Sequence, residues 1–170
     1  QVGFSEAAQN FFKKCFQFKG RIRRSEYWWG ALTVAIASAV LSLIPFVGWV
    51  ALIFLAIGGI SMLFRRLHDT GRSGWWWGCQ TIIGLVAGAL FFSAIDFHAY
   101  MMAAQSQDAT EMMRVLSAGM TGGAGIFALL LYLVNGALGI VIFVFTLLDS
   151  KPEANKYGES PKYVVEQTEG

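Results

Sequence analysis

Long apolar stretches alternate with short polar ones along most of this chain. The four longest apolar stretches are 27–44, 47–64, 75–95 and 126–148. Each is close to the length of helix that crosses a hydrocarbon core of about 30 Å. A single helix over 27–64 would be far too long for one crossing, and Pro45 and Gly48 mark a turn between the first two stretches. The pattern therefore predicts an all-α integral membrane protein, a four-helix bundle made of two transmembrane hairpins.

The segment before the first span has the pattern of an amphipathic helix. Within 4–20, phenylalanines recur at helical spacing, and Lys13 and Lys14 occupy the opposite side. Ser5 is expected to cap this helix, and Ser25 to cap the first span. Phenylalanines facing lysines suit a helix that lies at the lipid headgroup boundary. A helix packed on the protein's own surface would show the same pattern, and the sequence leaves both interpretations open.

The polar segments divide the chain into three regions. These are an interfacial helix with a basic connector at 1–24, a membrane domain at 25–149, and a tail at 150–170. Inside the membrane domain, 96–125 is a polar segment predicted on the outer face. An amphipathic helix over 97–116 is predicted there, followed by a flexible glycine-rich stretch at 119–125.

The composition agrees with membrane insertion. The chain has 170 residues, of which 55% are hydrophobic and only 14% charged, and its mean hydropathy is +0.52. These values are too apolar for an ordinary soluble domain. A soluble helical protein is the alternative, but it would have to bury most of a chain of this modest length.

The distribution of positive charge predicts the orientation in the membrane. Twelve lysines and arginines fall in alternate polar segments and one falls in the others. The twelve are Lys13, Lys14, Lys19, Arg21, Arg23, Arg24, Arg65, Arg66, Arg72, Lys151, Lys156 and Lys162, and the other is Arg114. Because cytoplasmic loops carry an excess of Lys and Arg, both termini and the 65–77 connection are predicted in the cytoplasm.

Three short motifs connect the chain to a known family. They are GRIRRSEYWW at 20–29, RRLHDTGRSGWW at 65–76 and NKYGESP at 155–161. Together they resemble the DUF805 family of small bacterial inner-membrane proteins, which includes the YhaH-like proteins. The resemblance implies a bacterial inner-membrane protein with several spans and implies no catalytic role. All three motifs lie on the predicted cytoplasmic side, which predicts that they meet there as one polar cap.

The candidate site residues are those that could form this cap or contact anionic headgroups. They are Arg23, Arg24, Glu26, Arg65, Arg66, His68, Asp69, Arg72, Ser73, Trp75 and Trp76. Arginines at the interface attract anionic headgroups by about 1 kcal/mol each. Within the cap, Glu26 is expected to pair with one of Arg65 and Arg66. Asp69 is expected to bind Arg72 or the N–H groups of its own turn.

His68 and Asp69 also invite comparison with metal-dependent hydrolases. A zinc or iron site needs three or four ligands, and the only other histidine, His98, is predicted across the membrane. No metal, cofactor or catalytic group is therefore expected. Nucleic acid is not an expected partner either, because the basic residues are few and close to the membrane.

Small and polar residues inside the spans predict helix packing. The candidates are Gly84, Gly88, Asn135, Gly136 and Gly139. Gly84 and Gly88 have the spacing of a dimer motif, which in a multi-span protein more often serves packing within the chain. No Asp, Glu, Lys, Arg or His occurs in the predicted spans away from their ends, whereas ion and proton paths usually contain such residues.

These observations predict a non-enzymatic inner-membrane component that acts through lipid or protein contacts at its cytoplasmic face. Anionic lipid headgroups, a protein partner or further copies of the chain are the expected partners. The competing hypothesis is a small oligomeric transporter or channel. A membrane enzyme with an anionic substrate at 65–77 is the third.

Overall fold

The computed structural model describes residues 2–163, in which the chain forms seven α-helices and no β-strand. They are α1 (Phe4–Lys13), α2 (Arg24–Leu41), α3 (Val47–Asp69), α4 (Trp75–Ala94), α5 (Phe97–Gln105), α6 (Ala109–Thr121) and α7 (Gly123–Leu147). The described residues divide into two compact units. One contains residues 2–75 and 142–163, and the other contains Trp76–Val141.

Within residues 2–163, three helices are long and apolar enough to cross a membrane. They are Gly48–Asp69, Trp75–Ala94 and Gly123–Leu147. The predicted span at 27–44 coincides with α2, which ends at Leu41 and carries Arg24 and Glu26 in its first turn. Those two charges lower the hydropathy of α2, which is not one of the three. The all-helical prediction is confirmed, and the fourth span and the paired hairpins stay predictions.

Helix α1 is shorter than its sequence pattern suggests. It begins after Gly3 instead of being capped by Ser5, and it ends at Lys13 although the pattern continues to residue 20. Phe11 is buried against α3, whereas Phe12 is exposed. The helix therefore packs on the protein itself and leaves other phenylalanines on its outer side.

The approach of α1 to α3 depends on Gly58. A Cβ atom at Gly58 would lie 2.6 Å from the Phe11 ring, whereas a Cβ at the adjacent Gly59 meets nothing within 4 Å. Gly58→Ala is therefore expected to lower the free energy of unfolding by about 1–3 kcal/mol, because Phe11 must move. Gly59→Ala is the matched control, and its better helix propensity should leave stability unchanged or raised by up to about 1 kcal/mol. Unfolding in detergent, followed by tryptophan fluorescence, measures both, and equal effects would contradict this account of the contact.

Helices α2 and α3 pack against each other across a short connection. The core at this contact contains Leu55 and Met62 of α3, with Phe11 of α1 and Ile22 of the connector, and partly buried apolar residues of α2 pack against it. The first turn of α2 has no side-chain cap, so Ser25 does not have the capping role predicted for it. Arg23, in extended conformation, is the residue before the helix.

Helix α3 continues five residues beyond the predicted end of its span. Arg65 to Asp69 are helical, so the predicted connection at 65–77 contains the last turn of α3, the non-helical residues 70–74 and the start of α4. The helix ends at Asp69, and the turn that follows contains Gly71, whose φ of +79° favours glycine. Bonds from Gly71 N–H to His68 O and from Arg72 N–H to Leu67 O close the helix end. Leu67, in this continuation of the helix, is fully buried.

The second unit contains two further helices where one was predicted. The helix expected over 97–116 is broken between α5 and α6, because Asp96 and Asp108 each cap a new N-terminus. The 119–125 stretch, predicted to be flexible, is largely helical. A Cβ at Gly125 would lie 2.0 Å from Gly119 O, so the close approach of the start of α7 to the backbone of α6 requires glycine at position 125.

The predicted packing glycines of α4 face α7. A Cβ at Gly84 would lie 3.3 Å from Asn135 Nδ2, and one at Gly88 would lie 3.5 Å from the Tyr132 hydroxyl. This geometry corresponds to packing within the chain, the alternative to a dimer face.

Polar side chains accompany this packing. Gln80 Nε2 donates to Asn135 O at 3.4 Å, and a Cβ at Gly139 would lie 2.8 Å from the same amide. Asn135 Oδ1 is buried and has no hydrogen-bond donor among residues 2–163. Gly136 faces open space.

Candidate functional site

The centre of the site is the Asp69 carboxylate in the last turn of α3. Arg66 Nη1 and Ser150 Oγ each donate to its Oδ2 at 2.5 Å, and Arg21 Nε donates to its Oδ1 at 3.1 Å. The side chains of both arginines and of Asp69 are at most 1% exposed. These four residues are the Asp69 cluster, in which a buried carboxylate is compensated by two cations and a hydroxyl.

Arg66 also binds the end of α7. Its Nε donates to Thr146 O at 3.1 Å, and its Nη2 donates to Leu148 O. The last carbonyls of a helix lack partners within the helix and carry partial negative charge. A planar guanidinium can bind them and Asp69 together, which a lysine ammonium could not do in the same geometry.

Arg21 holds the start of the C-terminal tail. Its Nη1 donates to Glu153 O at 2.8 Å and Gly158 O at 3.1 Å, and its Nη2 donates to Lys151 O at 2.6 Å. The same Nη2 lies 3.3 Å from Asp69 O. One side chain thus joins the connector before α2, the end of α3 and the tail.

His68 provides a second contact between these segments. Its ring stacks on Tyr157, with centroids 3.7 Å apart and planes 6° apart. Its Nδ1 donates to Gly20 O at 3.1 Å, which places the proton on Nδ1 because a carbonyl only accepts. Asn155 Nδ2 donates to the main-chain O of His68 at 3.0 Å. Each of the three sequence motifs therefore contributes to this contact.

The other two arginines of the central motif lie elsewhere. Arg65 is buried, and it donates to Ser61 O at 3.4 Å and Lys14 O at 3.3 Å. Arg72 donates to Thr70 O and stacks its guanidinium 3.8 Å from the Phe145 ring centroid. Asp69 pairs with Arg21 and Arg66, so the pairing suggested with Arg72 does not occur. Burial also keeps Arg65 and Arg66 from a direct headgroup contact.

The remaining predicted residues have local roles. Glu26 accepts from Asn10 Nδ2 at 3.1 Å and has no hydrogen bond to Arg65 or Arg66. Ser73 Oγ accepts from Trp75 N–H at the start of α4. Trp75 is strongly exposed, and Trp76 is exposed to a smaller extent.

A basic cleft of about 280 Å³ opens beside the Asp69 cluster. It is lined by Arg23, Arg24, Ser25, Asp149 and Lys162. Arg23 Nε donates to Pro161 O, and Arg24 Nη1 donates to Leu147 O at 3.1 Å. The cleft is therefore built where α2 begins, α7 ends and the tail passes. It carries three cations and one carboxylate.

The carboxylate of the cleft is held in its ionised form. The hydrogen bond from Lys162, helped by the Ser150 N–H and the Tyr163 hydroxyl, lowers the pKa of Asp149 to about 2. A lowered pKa in the folded state favours folding above the ordinary carboxyl range, and this contribution is lost as the pH falls through about 2.

The Asp149–Lys162 contact should therefore persist at pH 4, as a carboxyl-carbon NMR titration would show. Lys162→Gln should raise the midpoint of the Asp149 titration. A wild-type midpoint at the ordinary value for an aspartate side chain would contradict the contact.

Several residues of the site were not among the sequence candidates, namely Arg21, Ser25, Asp149, Ser150, Asn155, Tyr157 and Lys162. Arg21 was counted as one of several surface cations, and Ser150 and Tyr157 belonged to a tail without a predicted structure. The only available signal was that Arg21 and Tyr157 lie inside the 20–29 and 155–161 motifs. Within residues 2–163, no group of three or more His, Cys, Asp or Glu side chains is arranged to hold a metal ion.

Comparison with known proteins gives the family. Residues 15–159 match the family described as "Protein of unknown function (DUF805)". Inner membrane protein YhaI of Escherichia coli K12 is 37% identical over an alignment of 67 residues that covers 35% of this chain and 57% of YhaI. Inner membrane protein YhaH of the same strain is 42% identical over an alignment of 71 residues that covers 35% of this chain and 59% of YhaH.

These alignments are partial. The chain spans less than three fifths of the length of the curated relatives that it matches. No solved structure matches it. Because the family match extends over most of the chain, this protein belongs to the DUF805 family, as its three motifs predicted.

Proposed function

We propose that this protein is a multi-span inner-membrane component that acts through lipid or protein contacts at its cytoplasmic face. The observation that carries the proposal is the basic cleft. Its cations are accessible, whereas Arg65, Arg66 and Asp69 are buried. Accessible arginine and lysine side chains at a membrane interface bind anionic groups.

The proposed topology has four spans, with α2 as the first and both termini in the cytoplasm. Its support is the distribution of Lys and Arg between alternate polar segments. Helix α2 packs along α3, one of the three candidate spans, and the aromatic residues Tyr27, Trp28 and Trp29 follow its first three residues. Aromatic residues of this kind anchor helices at the headgroup level.

The buried polar groups support a structural role for the Asp69 cluster. Its arginines are engaged by Asp69 and by main-chain carbonyls, and Asp69 is engaged by three donors. A general acid or base needs access to a substrate proton at hydrogen-bond distance. The accessible groups of the cleft are instead cations suited to binding.

The orientation can be tested by thiol labelling. Lys156→Cys and Thr110→Cys are placed separately in a background with Cys15 and Cys79 replaced by serine. An impermeant maleimide should label Thr110→Cys in intact spheroplasts, and Lys156→Cys only after the membrane is opened. The reverse pattern would overturn the proposed topology.

The mode of action can be tested with the purified full chain in vesicles. We expect no solute or ion flux and no substrate turnover, while a photo-crosslinker at Ser25 should capture anionic lipid or one reproducible protein. The same crosslinker at Thr110 is the control. Flux in vesicles containing this protein alone would favour a transporter or channel instead. Turnover abolished by His68→Ala or Arg72→Ala would favour an enzyme.

A further inference from the structure

We propose that one anionic phospholipid binds along α2, with its headgroup in the basic cleft and one acyl chain in an apolar groove between α2 and α3. This inference rests on the proposed function and names the ligand of the basic cleft. It follows from three features of the first unit: the groove, its continuity with the cleft, and the donors available in the cleft.

The groove has a volume of about 310 Å³ and a mostly apolar lining. Tyr27, Ala31 and Val34 line it from α2, and Gly59, Ile60 and Leu63 are among its residues from α3. The small residues Ala31 and Gly59 give it depth, since a Cβ at Gly59 would meet nothing within 4 Å. Its form and chemistry fit a hydrocarbon chain.

The cleft and the groove follow one another along a single stripe of α2. Arg24 lines the cleft, and Tyr27, Ala31 and Val34 line the groove. Spacings of three, four and three residues place side chains on one helix face. At 1.5 Å per residue, Arg24 lies about 4.5 Å along the axis from Tyr27, and the groove runs about 10 Å further to Val34. A headgroup held at Arg24 therefore places an acyl chain at the entrance to the groove.

The cleft has donors to spare for a phosphate. Among residues 2–163, Arg23 and Arg24 each give one N–H to a main-chain carbonyl, and a guanidinium has five N–H groups. The first turn of α2 has no side-chain cap, so its N–H groups add to the same anion-binding end. Asp149 opposes an anion, but Lys162 already pairs with it.

The combination distinguishes a lipid from a free anion. A soluble phosphate would bind in the cleft alone, and the apolar groove beside it would not contribute to the binding. A phospholipid would bind in both. Its phosphate precedes its acyl chain from the interface inward, and the cleft precedes the groove along α2 in the same order. The groove also runs through less than one leaflet, whose hydrocarbon half is about 15 Å deep.

The test is native mass spectrometry of the full chain in mild detergent, after removal of co-purified lipid. Phosphatidylglycerol should bind as one molecule per chain, and phosphatidylcholine with the same acyl chains should bind far more weakly. Arg24→Gln combined with Lys162→Gln should weaken phosphatidylglycerol binding by about 30-fold, since the charge of Arg24 is lost and the carboxylate of Asp149 is left unpaired in the cleft. Lys13→Gln combined with Lys14→Gln removes the same charge outside the cleft and should have little effect.

A second pair of variants tests the groove. Gly59→Leu fills it and should weaken phosphatidylglycerol binding by about 10-fold or more, because several methylenes lose their burial. Gly136→Leu adds the same side chain at another glycine with open space and should leave binding unchanged. A variant is taken as folded when its elution from a sizing column and its melting temperature are the same as those of the wild type. If Arg24→Gln disturbs folding, Lys162→Gln alone, at an exposed position, should still weaken phosphatidylglycerol binding by about 5-fold.

Three results would overturn the lipid assignment. One is that the cleft variants and the groove variant bind phosphatidylglycerol with the same affinity as their controls. Another is competition by glycerol phosphate or inorganic phosphate at the affinity of the whole lipid, together with no effect of Gly59→Leu, which would mean a free-anion site. The third is a protein subunit that the same variants release while the lipid stays bound. Flux or turnover, by contrast, would reject the proposed function and leave this binding result standing.

Discussion

Asp69→Ala is expected to lower the free energy of unfolding by about 3–5 kcal/mol, the cost typical of breaking a buried ion pair by removing one partner. Asp69 is fully buried, and its carboxylate is the shared acceptor of Arg21, Arg66 and Ser150. Without it, two guanidinium groups stay buried with only main-chain carbonyls as acceptors. The penalty for these uncompensated charges is the main part of the effect.

A conservative variant separates charge from shape. Asp69→Asn keeps the size of the side chain and one oxygen acceptor, so it should still destabilise the fold, but less than Asp69→Ala. Asp149→Asn is the matched control, because that carboxylate is exposed in its pair with Lys162 and such pairs contribute at most about 1 kcal/mol. Reversible unfolding in detergent, followed by tryptophan fluorescence, measures all three. Equal losses for Asp69→Asn and Asp149→Asn would contradict the role assigned to the buried cluster.

Arg21→Lys is expected to release the tail at 150–163 and to lower the free energy of unfolding by about 2–3 kcal/mol. Hydrogen bonds to charged groups contribute about 1.5–3 kcal/mol each, and lysine retains part of that interaction. Arg21 binds Asp69 and three tail carbonyls through a planar fork. A lysine ammonium is a single point donor and cannot reach all of these acceptors at once.

Trypsin digestion reads out the tail directly. Cleavage after Lys156 should become much faster in Arg21→Lys, while the number of cleavage sites in the tail stays the same. Arg23→Lys is the control, since Arg23 binds the tail at Pro161 O alone. Equal protection in Arg21→Lys and the wild type would show that the tail is held by other contacts, such as the stack of His68 on Tyr157.

The cluster and the basic cleft are linked through the end of α7. Arg66 binds the carbonyls of Thr146 and Leu148, and Arg24 in the cleft binds the carbonyl between them, that of Leu147. Both arginines therefore satisfy carbonyls that the helix end leaves without partners. A change at Asp69 should accordingly loosen the cleft as well, without removing any of its lining residues.

The sequence alone determined the apolar helices and the family. The predicted spans at 47–64, 75–95 and 126–148 fall on α3, α4 and α7. Such spans are recognisable because hydrocarbon thickness sets a length and an apolar composition that can be read locally. The motifs at 20–29, 65–76 and 155–161 were enough to indicate the DUF805 family, which the match over 15–159 then established.

Only the tertiary structure decided which polar groups meet. Asp69 binds a donor 48 residues before it and another 81 residues after it, and no local pattern specifies such pairs. The structure also separated buried cations from accessible ones. Arg65 and Arg66 look in sequence like interfacial charges, but they are buried because α3 continues as a helix past them. Burial and charge pairing depend on which segments pack together, so the accessible cations at Arg23, Arg24 and Lys162 could be recognised only in the folded chain.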